Sequence, residues 1–392
     1  MRPTPDDQTH TSLAIVDARD WQNQFVLETG EKSDQQGPLV TLMRELLQRH
    51  PYPGDLDAQS NRWVSDTALE LVAGYQPQFV FLTYAQQYFA QRVGPMGDDE
   101  RRTMLALLFN EVERFVAESG CTPVIIGRGG VTPSQGIIDL SGLDGIGIST
   151  HWSARYAGLH EPSRSDLKLL AADPKIARIV TRQEFLALFD GTPEDGRLLP
   201  DYLLVARPGY SFKALGCTMR KPVMIPDAID TIPFYSPLGA AADLTAVRGV
   251  IEQGLLQGRK VALIMLEGVG SQDFPWPRSP CGNNRDWFCY EPGDAQFLAI
   301  TSGRHRIFEH PPGYLFYADM DKIRSYPLSG YFKEVPVGTI GTQYPGRSIA
   351  VGNKSMAMHM VAGADLCVEC FSRNHFNQGT MGVIHRQHKG LP

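Results

Sequence analysis

Gln78-Phe-Val-Phe-Leu-Thr83, the helical pattern over 98–119, and Thr122-Pro-Val-Ile-Ile126 with its sequel Gly127-Arg-Gly-Gly130 decide the fold class. The two short apolar runs lack polar alternation and are bounded by turn residues, the pattern of strands buried on both faces. Between them, Asp98-Asp-Glu100 sets acids at a helix amino end and Gly120 supplies the stop. Upstream, Ser12-Leu-Ala-Ile-Val16 reads as a strand, 37–47 as a helix, and 66–73 as a helix stopped at Gly74. Downstream, strands over 177–180 and 201–206 surround a helix over 182–189. A helix over 241–256 then leads into the buried strand Val261-Ala-Leu-Ile-Met-Leu266. Alternation of this kind implies an α/β protein with a mostly parallel central sheet flanked by helices. After Gly268, glycine, proline, aromatic and histidine residues crowd together and periodicity fades, so the carboxyl-terminal region is expected to be rich in loops.

The chain has 392 residues, of which 42% are hydrophobic and 20% charged, enough apolar material for a full core. The expected organisation is a tail over 1–11, a first α/β domain over 12–221, a proline-rich boundary over 222–239, and a second, ligand-binding region over 240–392. A formal net charge of −6 and the lack of a basic run argue against a nucleic-acid partner. The longest apolar run, 261–266, falls far short of the ~20 residues a membrane span needs. The polar amino end carries no secretory pattern, and six cysteines in a chain of this size read as thiols, so the expected compartment is cytoplasmic. A small-molecule substrate or ligand is the expected partner; assembly into a homo-oligomer stays open.

Three stretches carry candidate chemistry. The Val261 strand delivers Glu267 at its carboxyl end, before Gly268-Val-Gly270, where open α/β sheets bind ligands. Glu267 there is a candidate acid/base or ligand group, against the plainer reading of a loop tether. Asp17 holds the corresponding place after the first strand. Further on, Cys367 and Cys370 form a Cys-x-x-Cys pair flanked by His359 and His375. Such a set fits a divalent metal such as zinc or iron, a redox pair, or simply buried thiols. The two histidines are equally candidates for catalytic proton transfer. Pro345-Gly-Arg-Ser-Ile-Ala-Val-Gly-Asn-Lys-Ser355 is a candidate anion cradle, with Arg347, Asn353, Lys354 and Ser355, joined by Arg373, as substrate-binding groups. The spacing is not that of a Walker A loop, and no Gly-x-Ser-x-Gly elbow occurs.

In the order of its elements, the segment 66–131 resembles the alkaline phosphatase superfamily, in its type I phosphodiesterase and nucleotide pyrophosphatase branch. The likeness runs through Pro77-Gln-Phe-Val-Phe-Leu-Thr83, the Val93-Gly-Pro95 turn, the helix from Asp98, and Thr122 to Gly130. Leu263 to Gly270 is similar to that family's first metal-bearing strand, but stands much later in this chain. The resemblance implies a phosphatase-superfamily-like α/β fold and a two-zinc site. However, Gln87 and Gln91 occupy the positions of a metal-binding Asp and His, and Arg128 and Gly129 those of an Asp-His pair. Amides and a guanidinium do not replace anionic and imidazole ligands. Two expectations follow: an enzyme on a small anionic substrate, phosphorylated or not, using acid/base chemistry from the carboxyl-terminal half, or a non-catalytic relative that binds a small molecule or a partner protein. A metal- or redox-cofactor protein centred on the Cys-x-x-Cys is the third.

Overall fold

The computed structural model describes residues 38–94, 96–149, 154–213, 222–305, 339–344, 346–353, 362–373 and 377–384, with three short strands within 14–33. Backbone alone is described for those three strands and for 370–373 and 377–384. The expected tail over 1–11 lies outside these residues, as do Lys354, Ser355, His359 and His375.

Among the described residues, eleven strands form one sheet. Its centre is parallel: Thr122–Gly127, Val261–Leu266, Phe79–Tyr84, Ser348–Gly352 and Leu366–Arg373 lie side by side in that order. Antiparallel strands extend both flanks, through Thr231–Tyr235 and Ser279–Gly282 on one side and Asn377–Ile384 and Ala14–Asp17 on the other. The uninterrupted apolar runs of the centre are accounted for by burial, since every residue of Phe79–Tyr84, Val261–Leu266 and Ser348–Gly352 is buried.

Alternate residues of these strands feed two core layers. Phe79, Phe81, Val124, Leu263 and Met265 face the helices Val247–Leu256 and Asp294–Ser302. Val80, Leu82, Ile125, Ile264 and Leu266 face Pro38–Arg49, Ser60–Tyr75 and Asp98–Ser119. The 22-residue helix Asp98–Ser119 begins on three acids and ends on left-handed Gly120, as its sequence predicts. A smaller antiparallel sheet of four strands over 146–206 carries its own core around Leu159, Leu204 and Phe212.

Several expectations change. The expected boundary over 222–239 contributes the strand Thr231–Tyr235 to the main sheet, and strands from both sides of it interleave at the sheet's centre. Within the expected cradle over 345–355, Ser348–Gly352 is a strand, and its buried Ile349-Ala-Val351 pairs with strands on both sides. The helix expected to stop at Gly74 runs to Tyr75, whose ring is fully buried, and Gln76 takes the left-handed cap at φ 51°. Among the described residues, no helix is long and apolar enough to cross a membrane.

Gly127 ends its strand against the loop that follows the Val261 strand. A Cβ there would lie 2.5 Å from the Val269 carbonyl oxygen and 2.7 Å from the Pro233 ring. Gly127→Ala is therefore expected to lose about 1–3 kcal/mol of stability, as overpacked sites do. A urea titration followed by circular dichroism checks this; an unchanged midpoint contradicts it.

Candidate functional site

The register of the parallel strands sets the site. Leu266 pairs with Gly127, so Glu267 and Arg128 leave adjacent strands side by side at the sheet's carboxyl edge. Their side chains form an ion pair with no exposure to solvent. The Arg128 guanidinium is held on its other sides as well. Its Nε donates to Gln296 Oε1 at 2.6 Å, one terminal nitrogen donates to the Gly293 carbonyl at 2.9 Å, and its plane sits 3.6 Å from the Phe297 ring centre. Gln296 in turn donates to Asn283, which donates to the carbonyls of Tyr290 and Ile229. Planarity and five donors suit arginine to such a saturated pocket.

Glycines let the two strand ends approach. Gly129 and Gly268 take positive φ, and Gly129 N–H donates to the Val269 carbonyl. A Cβ on Gly270 would meet the Gly130 backbone at 3.0 Å.

Beside the ion pair runs a chain of amides. Gln87 Nε2 donates to the backbone carbonyls of Tyr84 (2.8 Å) and Glu267 (2.6 Å), and its Oε1 accepts from Asn61. Asn353, at the end of the Ser348 strand, donates to Ser60 Oγ (2.8 Å) and Asn61 Oδ1 (2.9 Å), and accepts from the Ala85 N–H. Gln91 donates to the Gln87 carbonyl and accepts from Arg101, which pairs with Asp273. These groups are buried and neutral, apart from the half-buried Arg101–Asp273 pair at the end of the chain.

The residues singled out in the sequence separate into groups. Glu267 and Asn353 share the carboxyl edge. Arg347 precedes the Ser348 strand at the opposite edge, about 20 Å away at ~3.3 Å per strand residue. There it donates to the Tyr75 carbonyl at 3.0 Å and lies over the Tyr75 ring. Arg347 and Glu267 therefore do not share one anion site, because a parallel strand of five residues stands between their two ends. Cys367 is fully buried in the core, and burial, with Glu369 and Asp365 nearby, pushes its thiol pKa well above the ordinary value. Cys370 and Arg373 lie in the same strand, described by backbone alone. Cys281 and Cys289 are likewise held as thiols, pushed up by burial to about 12 and about 11. Among the described residues, no three His, Cys, Asp or Glu converge as a metal site.

Arg128, Gln296 and Asn61 had no part in the expected site. Arg128 and Glu267 are 139 positions apart. Their partnership becomes visible only when the Thr122 and Val261 strands are known to be neighbours.

A further carboxylate stands near this edge. Glu291 accepts the Arg155 backbone N–H at 2.8 Å, and burial pushes its pKa up to about 7 against the opposing charges of Arg155 and Arg92. No protein-family model matches the chain, and no curated protein is significantly similar to it in sequence.

Two predictions follow from the charges. Arg128→Met leaves the Glu267 carboxylate buried without its cation and is expected to lose about 3–5 kcal/mol. Arg128→Met combined with Glu267→Leu should recover much of that loss, because neither charge then has to be desolvated. A double-mutant cycle in denaturant measures both. For Glu291, the folded chain keeps a proton that the unfolded chain releases between the ordinary carboxylate range and about pH 7. Stability should therefore fall as pH rises through that window, and Glu291→Gln should flatten the slope. Thermal melts at pH 4.5–8 test this.

Proposed function

We propose that this chain is a non-catalytic binding protein on a phosphodiesterase-like α/β scaffold. The observation that carries this is the Arg128–Glu267 pair. A general base or metal ligand must present a lone pair to a reacting atom or an ion. The Glu267 carboxylate is instead fully buried and neutralised by Arg128. Gln87 and Gln91, at the positions where the resemblance places an acid and an imidazole, are engaged in hydrogen bonds within the fold. The partner is a small molecule or a protein held at a surface outside this filled centre.

A second reading keeps an enzyme acting on a small anionic substrate. Glu291 favours it, since a carboxylate titrating near neutrality beside Arg155 and Arg92 suits acid/base work. A third, a metal or redox protein centred on Cys367 and Cys370, is separated from the others by metal analysis of the purified chain and of Cys367→Ser.

The deciding assay follows 4-nitrophenyl phosphate and bis(4-nitrophenyl) phosphate with added Zn²⁺, Mn²⁺ or Fe²⁺. Under the binding reading, release of nitrophenol stays at the rate of the metal-only blank. A metal-stimulated rate that Glu267→Gln abolishes while the variant stays folded refutes the proposal. A rate lost in Glu291→Gln supports the second reading instead.

A further inference from the structure

A cavity of about 590 Å³ opens between the starts of the helices Ser60–Tyr75 and Gln86–Val93 and the face of Asp98–Ser119. Its volume suits a small organic ligand. One end is apolar, formed by Leu56, Met96, Met104 and Leu107. Leu56 and Leu107 are about half exposed at its mouth. The inner end is polar. Gln86 is only 6% exposed, and among the described residues its side-chain amide has no hydrogen-bond partner, while its backbone N–H reaches Asn61 Oδ1. Neighbouring Asn61 donates to Gln87 and accepts from Asn353. The amide of this nearly buried residue thus borders the cavity and meets solvent there.

The two cations near the rim are already paired, Arg62 with Asp66 and Arg114 with Glu111 and Asp66, and Glu100 stands exposed to solvent, where its field is screened. A charged head group would gain little field here and would lose its hydration on entering.

We infer that this cavity binds a small uncharged amphiphile, its amide or hydroxyl head on Gln86 and its hydrocarbon part along Leu56, Met96, Met104 and Leu107. Methionine side chains adapt readily to such chains. The inference rests on the binding reading above and gives it a ligand class.

The test uses the full chain and N-phenyl-1-naphthylamine, an uncharged fluorophore, displaced by dodecanamide, dodecanoate or dodecylamine. Dodecanamide should displace at concentrations about fivefold to tenfold lower than either charged analogue, the size of one hydrogen bond to a neutral group. Gln86→Leu should bring the three within about twofold of one another, and Leu107→Glu should weaken all of them. The site is refuted if the fluorophore does not bind, as when a second copy or another segment of the chain fills the groove. Better displacement by dodecanoate or dodecylamine refutes it too, as does an unchanged preference in Gln86→Leu. Should Gln86→Leu fail to fold, Leu107→Trp at the exposed rim serves instead: its emission must shift on adding dodecanamide, and no shift refutes the site. None of these outcomes bears on phosphoester turnover, which decides the proposal above independently.

Discussion

Two opposite charges emerging from neighbouring parallel strands, with helices packed over both faces of the sheet, set the terms for the rest of this molecule. Water is excluded where Arg128 and Glu267 meet, so each must find its hydrogen bonds within the protein. The surrounding architecture answers that requirement. Gln296 and Gly293 each accept a further guanidinium hydrogen bond, Phe297 covers its face, and Asn283 fixes Gln296 in turn. The glycines at 129, 268 and 270 belong to the same requirement, since the first two take positive φ and a side chain at 270 would meet the Gly130 backbone.

The amide chain from Asn353 through Asn61 and Gln87 extends this logic along the edge. Amides satisfy one another in pairs of donor and acceptor without a counter-ion, whereas clustered carboxylates and imidazoles at the same depth would call for a cation. The chemistry of the edge is thus compatible with a closed, rigid centre. Its substitution by acids would change the charge balance of the whole sheet edge, beyond one residue at a time.

Much of the fold was legible because a parallel strand covered on both sides has a single compositional solution. Phe79–Tyr84, Thr122–Gly127 and Val261–Leu266 all display it. Ser348–Gly352 obeys the same rule but is short and lies among Gly346, Gly352 and polar residues, so its sequence reads equally as a turn. The loop expected there dissolves into the sheet, and Arg347 ends at the wrong edge for the proposed cradle. Glu267 was legible as a strand-end carboxylate, but its environment was not. Strand order, which is set by tertiary contacts, decides whether such a group meets a ligand, a metal or an arginine from 139 residues away.

Asn61 joins the closed centre to the open cavity. Its side chain accepts from Asn353 and donates to Gln87, while its Oδ1 also lies 3.4 Å from the Gln86 N–H. The start of the Gln86–Val93 helix is therefore fixed by the same bonds that close the strand ends. Gln86 itself is placed by that scaffold but not consumed by it. Preorganisation of this kind favours binding, because a ligand's head group meets an amide whose position is already fixed and orders little of the protein on arrival. A self-satisfied polar centre is compatible with the proposed recognition one layer further out, where Gln86 and an apolar wall line the cavity.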